Sequence, residues 1–298
     1  MNIRFTPYVS IIIPTYNHAD FLGKALKSVI SQTYKNWEAI IIDNHSTDRT
    51  VEVINKFKDP RIKYIKIFNG GILAKSRNLG IKIAKGKWIA FLDSDDWWTD
   101  DKLEICFNEV CENDDLVYHN LEVVHKSKIF FEKKKFKGRE LKRPILNDLL
   151  IGAITQGNAI GQSSVIVRKS ILIKIKGIDE NINLVGSEDY NTWLRVAQLT
   201  NEFKYINKNL GYILIHDSNV SNKDMSIPQR QSVVDFMKFF NNEQKLNLEV
   251  KLKYMSGSYN YLNNNYGKAK KDFIFVIKNG FFALKIKSLV KIFLMIFK

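Results

Sequence analysis

This sequence predicts an α/β protein, a mixed and mostly parallel sheet flanked by helices, with a helical C-terminal extension. Three observations carry the prediction. Apolar runs alternate four times with segments of helical periodicity before Asp93. That alternation stops after Asp115. From Pro228 onward the pattern is helical and Lys-rich, interrupted at Asn241-Asn242 and at Asn263-Asn264-Asn265.

Tyr8 to Pro14 reads as a buried strand stopped by proline. Ala19 to Gln32 places Phe21, Leu22, Ala25, Leu26, Val29 and Ile30 at helical spacing. A second strand runs from Trp37 to Ile42 and ends at Asp43; Asp48 caps a helix reaching about Phe57. The strand Arg61–Ile67, the helix Leu73–Ala84 and the strand Trp88–Leu92 complete the alternation. Right-handed βαβ units follow, and in such sheets ligands bind beyond the carboxyl ends of the strands. Farther on, strands are expected at Leu116–Val124, Ile129–Phe136, Ser163–Arg168, Phe203–Ile206 and Tyr212–Ile215. Helices are expected at Leu146–Ile151 and Glu188–Leu199. The domain reading is a body over residues 1–222, whose halves meet near 115, and a basic helical extension over 223–298.

The formal charge of +15 is unevenly spread. Lys126 to Arg143 holds nine Lys/Arg against two Glu, net +7, and Lys251 to Lys298 holds ten Lys against one Asp, net +9. The remainder is therefore close to neutral, at about −1. These cations are mostly lysines beside apolar residues rather than a set of arginine base readers, so no nucleic-acid partner is expected. An anionic membrane surface suits them better. Phe281 to Lys298 is mostly apolar with four lysines, of which Lys287, Lys291 and Lys298 share one face of a helix. That pattern reads as an interfacial helix resting on a bilayer, or as a terminal helix packed on the domain. The first residues show no secretory signal, and no apolar run has the ~18 residues that a spanning helix requires. Cys106 and Cys111, placed together in a helix, have no metal-ligand spacing, and a reducing compartment is expected.

The most informative motif is Asp93-Ser94-Asp95-Asp96, three carboxylates in four residues directly after the uncharged strand Trp88–Leu92. Like charges this close repel, and a hard divalent cation, Mn²⁺ or Mg²⁺, relieves the repulsion while keeping positions open for phosphate oxygens. Pro14-Thr15-Tyr16-Asn17 and Asp43-Asn44 fall at the ends of neighbouring strands, so three motifs converge on one sheet edge.

Val9 to Asn17 with Ser31-Gln32-Thr33-Tyr34, and Ile41 to Asp48, resemble two motifs of the family 2 glycosyltransferases. So do Ala74 to Gly80, Asp93 to Asp96, and Ser187-Glu188-Asp189-Tyr190 with Trp193-Leu194-Arg195. Order and spacing hold over roughly residues 8–220. Two departures are Asn44, where a second acid is usual, and His45, where glycine is common. The resemblance implies the GT-A fold and inverting transfer of a sugar from a UDP-sugar to a hydroxyl. By the same resemblance, Asp95 is a metal ligand and Asp93 contacts ribose or sugar, with Ser94 beside it. Asp43 reads the base; Pro14, Thr15 and Tyr16 line the nucleotide pocket, and Asn17 either joins them or caps the first helix. Arg77 reaches diphosphate or ribose. Asp189 is the general base, with Glu188 the alternative, and His216 contacts metal or diphosphate. Residues 161–164 border the acceptor. Direct displacement needs one base opposite the leaving group.

The reading is thus a cytoplasmic enzyme, peripheral on the inner face of the cell membrane, whose acceptor is a lipid-linked or lipopolysaccharide-type glycan. A nucleotidyltransferase of related fold would need a Gly- and Arg-rich phosphate loop near the N-terminus, and Pro14–Asn17 offers none. A non-catalytic membrane scaffold would have no use for Asp93, Asp95 and Asp189.

Overall fold

In a computed structural model, residues 6–125, 134–136, 138–155, 157–217 and 219–297 are described. Of the strand expected at Ile129–Phe136, only Lys134–Phe136 is among them; residues 126–133 lie outside. The chain forms two compact units: residues 1–148, 159–180 and 192–216 make the first, and residues 149–158, 181–191 and 217–298 the second.

The first unit is built on the alternation read from the sequence. Its first strand, β1 (Val9–Thr15), pairs in parallel with β2 (Trp37–Asp43) on one side and β4 (Trp88–Phe91) on the other, and β3 (Ile62–Lys66) flanks β2. The connecting helices are α1 (Ala19–Ile30), α2 (Thr50–Asn55) and α3 (Leu73–Ile83). Both faces of β1, β2 and β4 are covered, which is why these strands are apolar throughout rather than alternating. Helix α3 packs so close to β1 that a Cβ on Gly80 would lie 2.6 Å from Ile12 Cγ2. Leu22, Ala25, Leu26 and Val29 of α1 enter the core as their spacing predicts, beside Trp37, Trp88 and Leu103.

Beyond β4 the sheet turns mixed. The full order is β3-β2-β1-β4-β8-β6-β9-β5, with β5 (Trp97–Trp98), β6 (Leu116–His125), β8 (Ile166–Arg168) and β9 (Phe203–Ile215); β7 (Lys134–Phe136) pairs with β6. Strand β8 is antiparallel to both β4 and β6, while β9 runs parallel to β6.

Several elements differ from expectation. The two strands expected at 203–206 and 212–215 are one strand, β9, whose pairing with β6 slips on either side of Asn120. Asn207, Lys208 and Asn209 break the apolar pattern there without breaking the backbone. Residues 162–164 form a 3-10 turn instead of opening β8, because Ser164 Oγ donates back to the Gly161 carbonyl at 2.7 Å. Helix α4 (Lys102–Glu109) holds the buried Cys106 but stops before the exposed Cys111. Strand β5 and the six-residue helix α6 (Lys169–Lys174) are too short to leave a periodic signal.

Helices α5 (Ile145–Ile154), longer than expected, and α7 (Glu188–Ala197) each run across the division between units. The second unit holds α8 (Ser226–Val233), α9 (Asn242–Leu262), α10 (Tyr266–Asn279) and α11 (Phe282–Leu294). Both Asn clusters act as helix punctuation. Asn241 and Gln244 form a reciprocal capping box at the start of α9, and Asn264 takes φ 60° between α9 and α10. Tyr261, Ala269 and Phe273 make a small core, with Tyr254, Tyr266, Ile292 and Met295 against it. Among the described residues, no helix is long and apolar enough to cross a membrane.

Candidate active site

Strand register brings the predicted motifs together. Thr15 pairs with Asp43, and Leu92 N–H donates to Ile12 O at 3.1 Å, so β1, β2 and β4 end along one edge of the first unit. Hydrogen bonds bind the β1 and β2 loops, among them Asn44 N–H to Thr15 O at 3.0 Å and Thr47 N–H to Asn17 Oδ1 at 2.8 Å. Asn17 itself adopts φ 50°, a left-handed conformation asparagine tolerates well, and its N–H donates to Ser46 Oγ at 2.9 Å. Capping of α1 falls to Asp48, which accepts Ala19 N–H at 3.0 Å and Thr50 N–H, at the start of α2, at 2.9 Å.

Asp43 is wholly buried. Its Oδ1 accepts the Ser46 N–H and hydroxyl at 2.9 and 2.6 Å, and its Oδ2 accepts the Tyr64 hydroxyl at 2.7 Å. Burial and this carboxylate together push the Tyr64 hydroxyl pKa upward. Tyr16, by contrast, is 53% exposed, and its ring is accessible for stacking.

At the end of β4 the acids divide by environment. Asp93 Oδ1 accepts from Arg77 Nη2 at 2.7 Å; Arg77 is 2% exposed, so it is no solvated helix-face residue. Asp95 Oδ2 lies 2.9 Å from Nε2 of His216, which follows β9. Asp96 points inward, accepting from Ser163 Oγ at 2.6 Å and Leu214 N–H at 3.2 Å. Burial, reinforced by Asp95 and Asp93, raises the Asp96 carboxyl well above the usual range.

Three residues that the sequence reading did not place here join this cluster. His18 Nδ1 is 2.7 Å from Ser94 Oγ, and its ring lies 6.0 Å from that of His216. Burial lowers the His18 pKa, against the attraction of Asp95. Phe21, expected in the core, stacks on His216 with centroids 4.5 Å apart. Ser163, expected at the acceptor border, instead touches the acid loop. Nothing local in sequence marks His18 or Ser163, since each partner is about seventy residues away or more.

The donor set suits a divalent cation. Asp95 offers a carboxylate oxygen and His216 an imidazole nitrogen 2.9 Å apart, two donors that could hold a divalent cation together. No group of three or more His, Cys, Asp or Glu with metal-binding geometry occurs among the described residues. Two protein ligands fit a cation that takes its remaining ligands from phosphates and water.

Glu188 and Asp189 open α7 in the second unit. Glu188 is 5% exposed, and its Oε2 accepts the Gly186 N–H at 2.7 Å. Asp189 is half-buried; Asn158 Nδ2 donates to its Oδ2 at 2.9 Å, and the Tyr190 N–H to its Oδ1 at 2.7 Å. Of the two acids, Asp189 is the more accessible.

The profile of glycosyl transferase family 2 matches residues 10–171. The chain belongs to that family. This glycosyltransferase is 36% identical over 236 residues to WfaP, a UDP-Glc:α-D-GlcNAc-diphosphoundecaprenol β-1,3-glucosyltransferase of Escherichia coli, a match spanning 76% of this chain and 84% of WfaP. It is 32% identical over 197 residues to WfgD, an E. coli enzyme of the same description, with coverages of 65% and 71%. Among solved structures, Staphylococcus aureus TarS crystallised with UDP-GlcNAc superposes with a TM-score of 0.62 at 18% identity, covering 95% of this glycosyltransferase and 88% of that chain. The Pyrobaculum calidifontis mannosyltransferase PcManGT, in complex with GDP-Man and Mn²⁺, gives 0.62 at 14% identity, with coverages of 99% and 82%. At these identities the structural likeness is one of fold, and that fold is GT-A.

Proposed function

We propose that this glycosyltransferase is inverting and Mn²⁺-dependent, and that it moves a sugar from a UDP-sugar to a hydroxyl of a lipid-linked glycan at a membrane surface. The observation that carries the reading is the pairing of Asp95 with His216 at the edge where β1, β2 and β4 end, with Arg77 held against Asp93. A departing nucleoside diphosphate develops negative charge, and this edge gathers groups that can meet it. Asp95 and His216 would hold the cation, which when bound neutralises the diphosphate. Arg77 orients Asp93 toward the ribose or sugar. Tyr16 offers its exposed ring to the base, and Thr15, Asn17 and Asp43 shape the pocket floor. Asp189, oriented by Asn158, accepts the proton of the attacking hydroxyl.

Two lines support the substrate assignment. WfaP and WfgD are named for UDP-Glc as donor and a GlcNAc-diphospholipid as acceptor. The helical unit also has a surface suited to a bilayer. In helix α11, Lys291 is bonded to Ser258 Oγ at 2.9 Å and lies over the Tyr254 and Tyr261 rings at 5.4 and 5.5 Å. Phe282, Ile286, Leu289, Val290, Phe293 and Ile296 stand exposed, near the exposed Lys287 in sequence. An apolar stripe on a strongly cationic unit matches the acyl boundary and headgroups of an anionic membrane. These features favour a peripheral enzyme on the cytoplasmic face.

A thermal-shift screen of UDP, GDP, ADP, CMP and dTDP with and without Mn²⁺ tests the donor class, followed by transfer from radiolabelled UDP-glucose to a GlcNAc-diphospholipid. Stabilisation by UDP with Mn²⁺ and labelled product are expected. Stabilisation by another nucleotide alone, or full turnover in chelator, overturns the reading.

A further inference from the structure

Ser163 sits where two ends of the acid loop meet. Its Oγ accepts the Asp93 N–H at 3.1 Å and donates to Asp96 Oδ2 at 2.6 Å, so one hydroxyl spans the loop that carries Asp95. Its own carbonyl accepts the Trp98 indole N–H at 2.7 Å, which fixes the turn to the strand that leaves the loop. The other oxygen of Asp96 accepts from Leu214 N–H at 3.2 Å, two residues before His216. The chain of bonds therefore runs from the 3-10 turn through the acid loop to the segment bearing the histidine. Ser163 is buried, at 2% exposed.

We infer that Ser163 is a positioning residue, whose hydroxyl closes the Asp93–Asp96 loop and so sets Asp95 against His216 for binding of a nucleoside diphosphate with its cation. This inference rests on the proposed role of that loop. Ser164 supplies the matched control: it is a wholly buried serine in the same turn, but its hydroxyl donates to Gly161 O at 2.7 Å and not to the acid loop. Deleting the Ser164 hydroxyl removes a buried hydrogen bond of the same turn without touching the acid loop, so it reports what disturbing the turn alone does to binding.

The test is isothermal titration of UDP with saturating Mn²⁺ into the full chain, with melting temperature recorded beside it. Ser163→Ala is expected to bind about tenfold or more weakly, the lower end of the loss when a partner orienting a metal ligand is removed. Ser164→Ala should stay within about twofold of the parent. Should Ser163→Ala fail to fold, Ser163→Cys, which keeps the volume and weakens the hydrogen bonds, carries the same expectation. Parent-like binding by the Ser163 variant, or equal weakening by Ser164→Ala, overturns the inference. Asp95→Ala separates the two levels: loss of binding there with Ser163 indifferent overturns only the positioning role, whereas undiminished binding overturns the site reading with it.

Discussion

His216 Nε2 and Asp95 Oδ2 stand 2.9 Å apart although 121 residues separate them in the chain. The contact joins the residue after β9 to the loop after β4, two strands between which β8 and β6 intervene in the sheet. Phe21 stacks on the imidazole from the other side, so the ring's orientation is settled by packing before any ligand arrives.

Replacing His216 by alanine should raise the Mn²⁺ concentration for half-maximal UDP binding on the order of 10–100-fold, the range seen when metal-site partners are removed. Titration calorimetry at fixed UDP reads this directly. An unchanged metal requirement would remove His216 from the ligand set.

Asp189→Asn keeps the shape and the bond from Asn158 while removing the basic oxygen. Transfer should fall by about 10²–10⁴-fold with UDP affinity unaltered, because a general base acts on the acceptor and not on the nucleotide. Glu188→Gln should act through stability instead, since Glu188 is buried and holds the Gly186 N–H. A fully active Asp189→Asn enzyme would discard the base assignment.

Lys102 predicts a pH signature. Its ammonium is wholly buried 3.6 Å from the Trp98 ring centroid, without a hydrogen-bond partner, and burial lowers its pKa from 10.5 to about 7. Between pH 7 and 10.5 the unfolded chain binds the proton that the folded chain has released, so stability from this group rises with pH across that window. Lys102→Met should therefore be more stable than the parent at pH 7, with the gap narrowing by roughly 2 kcal/mol by pH 9. Denaturant unfolding at the two pH values checks it, and a constant gap would contradict it.

Leu289→Glu with Phe293→Glu should abolish flotation with vesicles containing phosphatidylserine, since both side chains are exposed and their loss leaves the helix without its apolar stripe. Lys291→Gln, an inward residue, should lower melting temperature and leave flotation largely intact. Retention of the double mutant on vesicles would count against the anchor.

The parallel half of the sheet was legible because its signals are local. Ile11-Ile12-Ile13 and Ile40-Ile41-Ile42 declare buried parallel strands without reference to anything distant, and parallel pairing then dictates that their acidic ends share an edge. Strand β9 was harder to read because Asn207 to Asn209 are polar yet extended, paired across the irregularity at Asn120. The orientation of α11 was left open by the sequence: periodicity groups lysines on one face but does not say whether that face meets water. Lys291 finds an aromatic surround and Ser258 in α9, and this contact turns the apolar residues outward.

By itself, then, the sequence determined the family, the alternating α/β core and the carboxylates at its edge, because each is written in residues close together along the chain. Only the tertiary structure decided which of those carboxylates are presented and which are turned inward, and that His18, Phe21 and Ser163 belong with them. Such choices depend on hydrogen bonds between segments about seventy or more residues apart, and no local pattern encodes a partner at that distance.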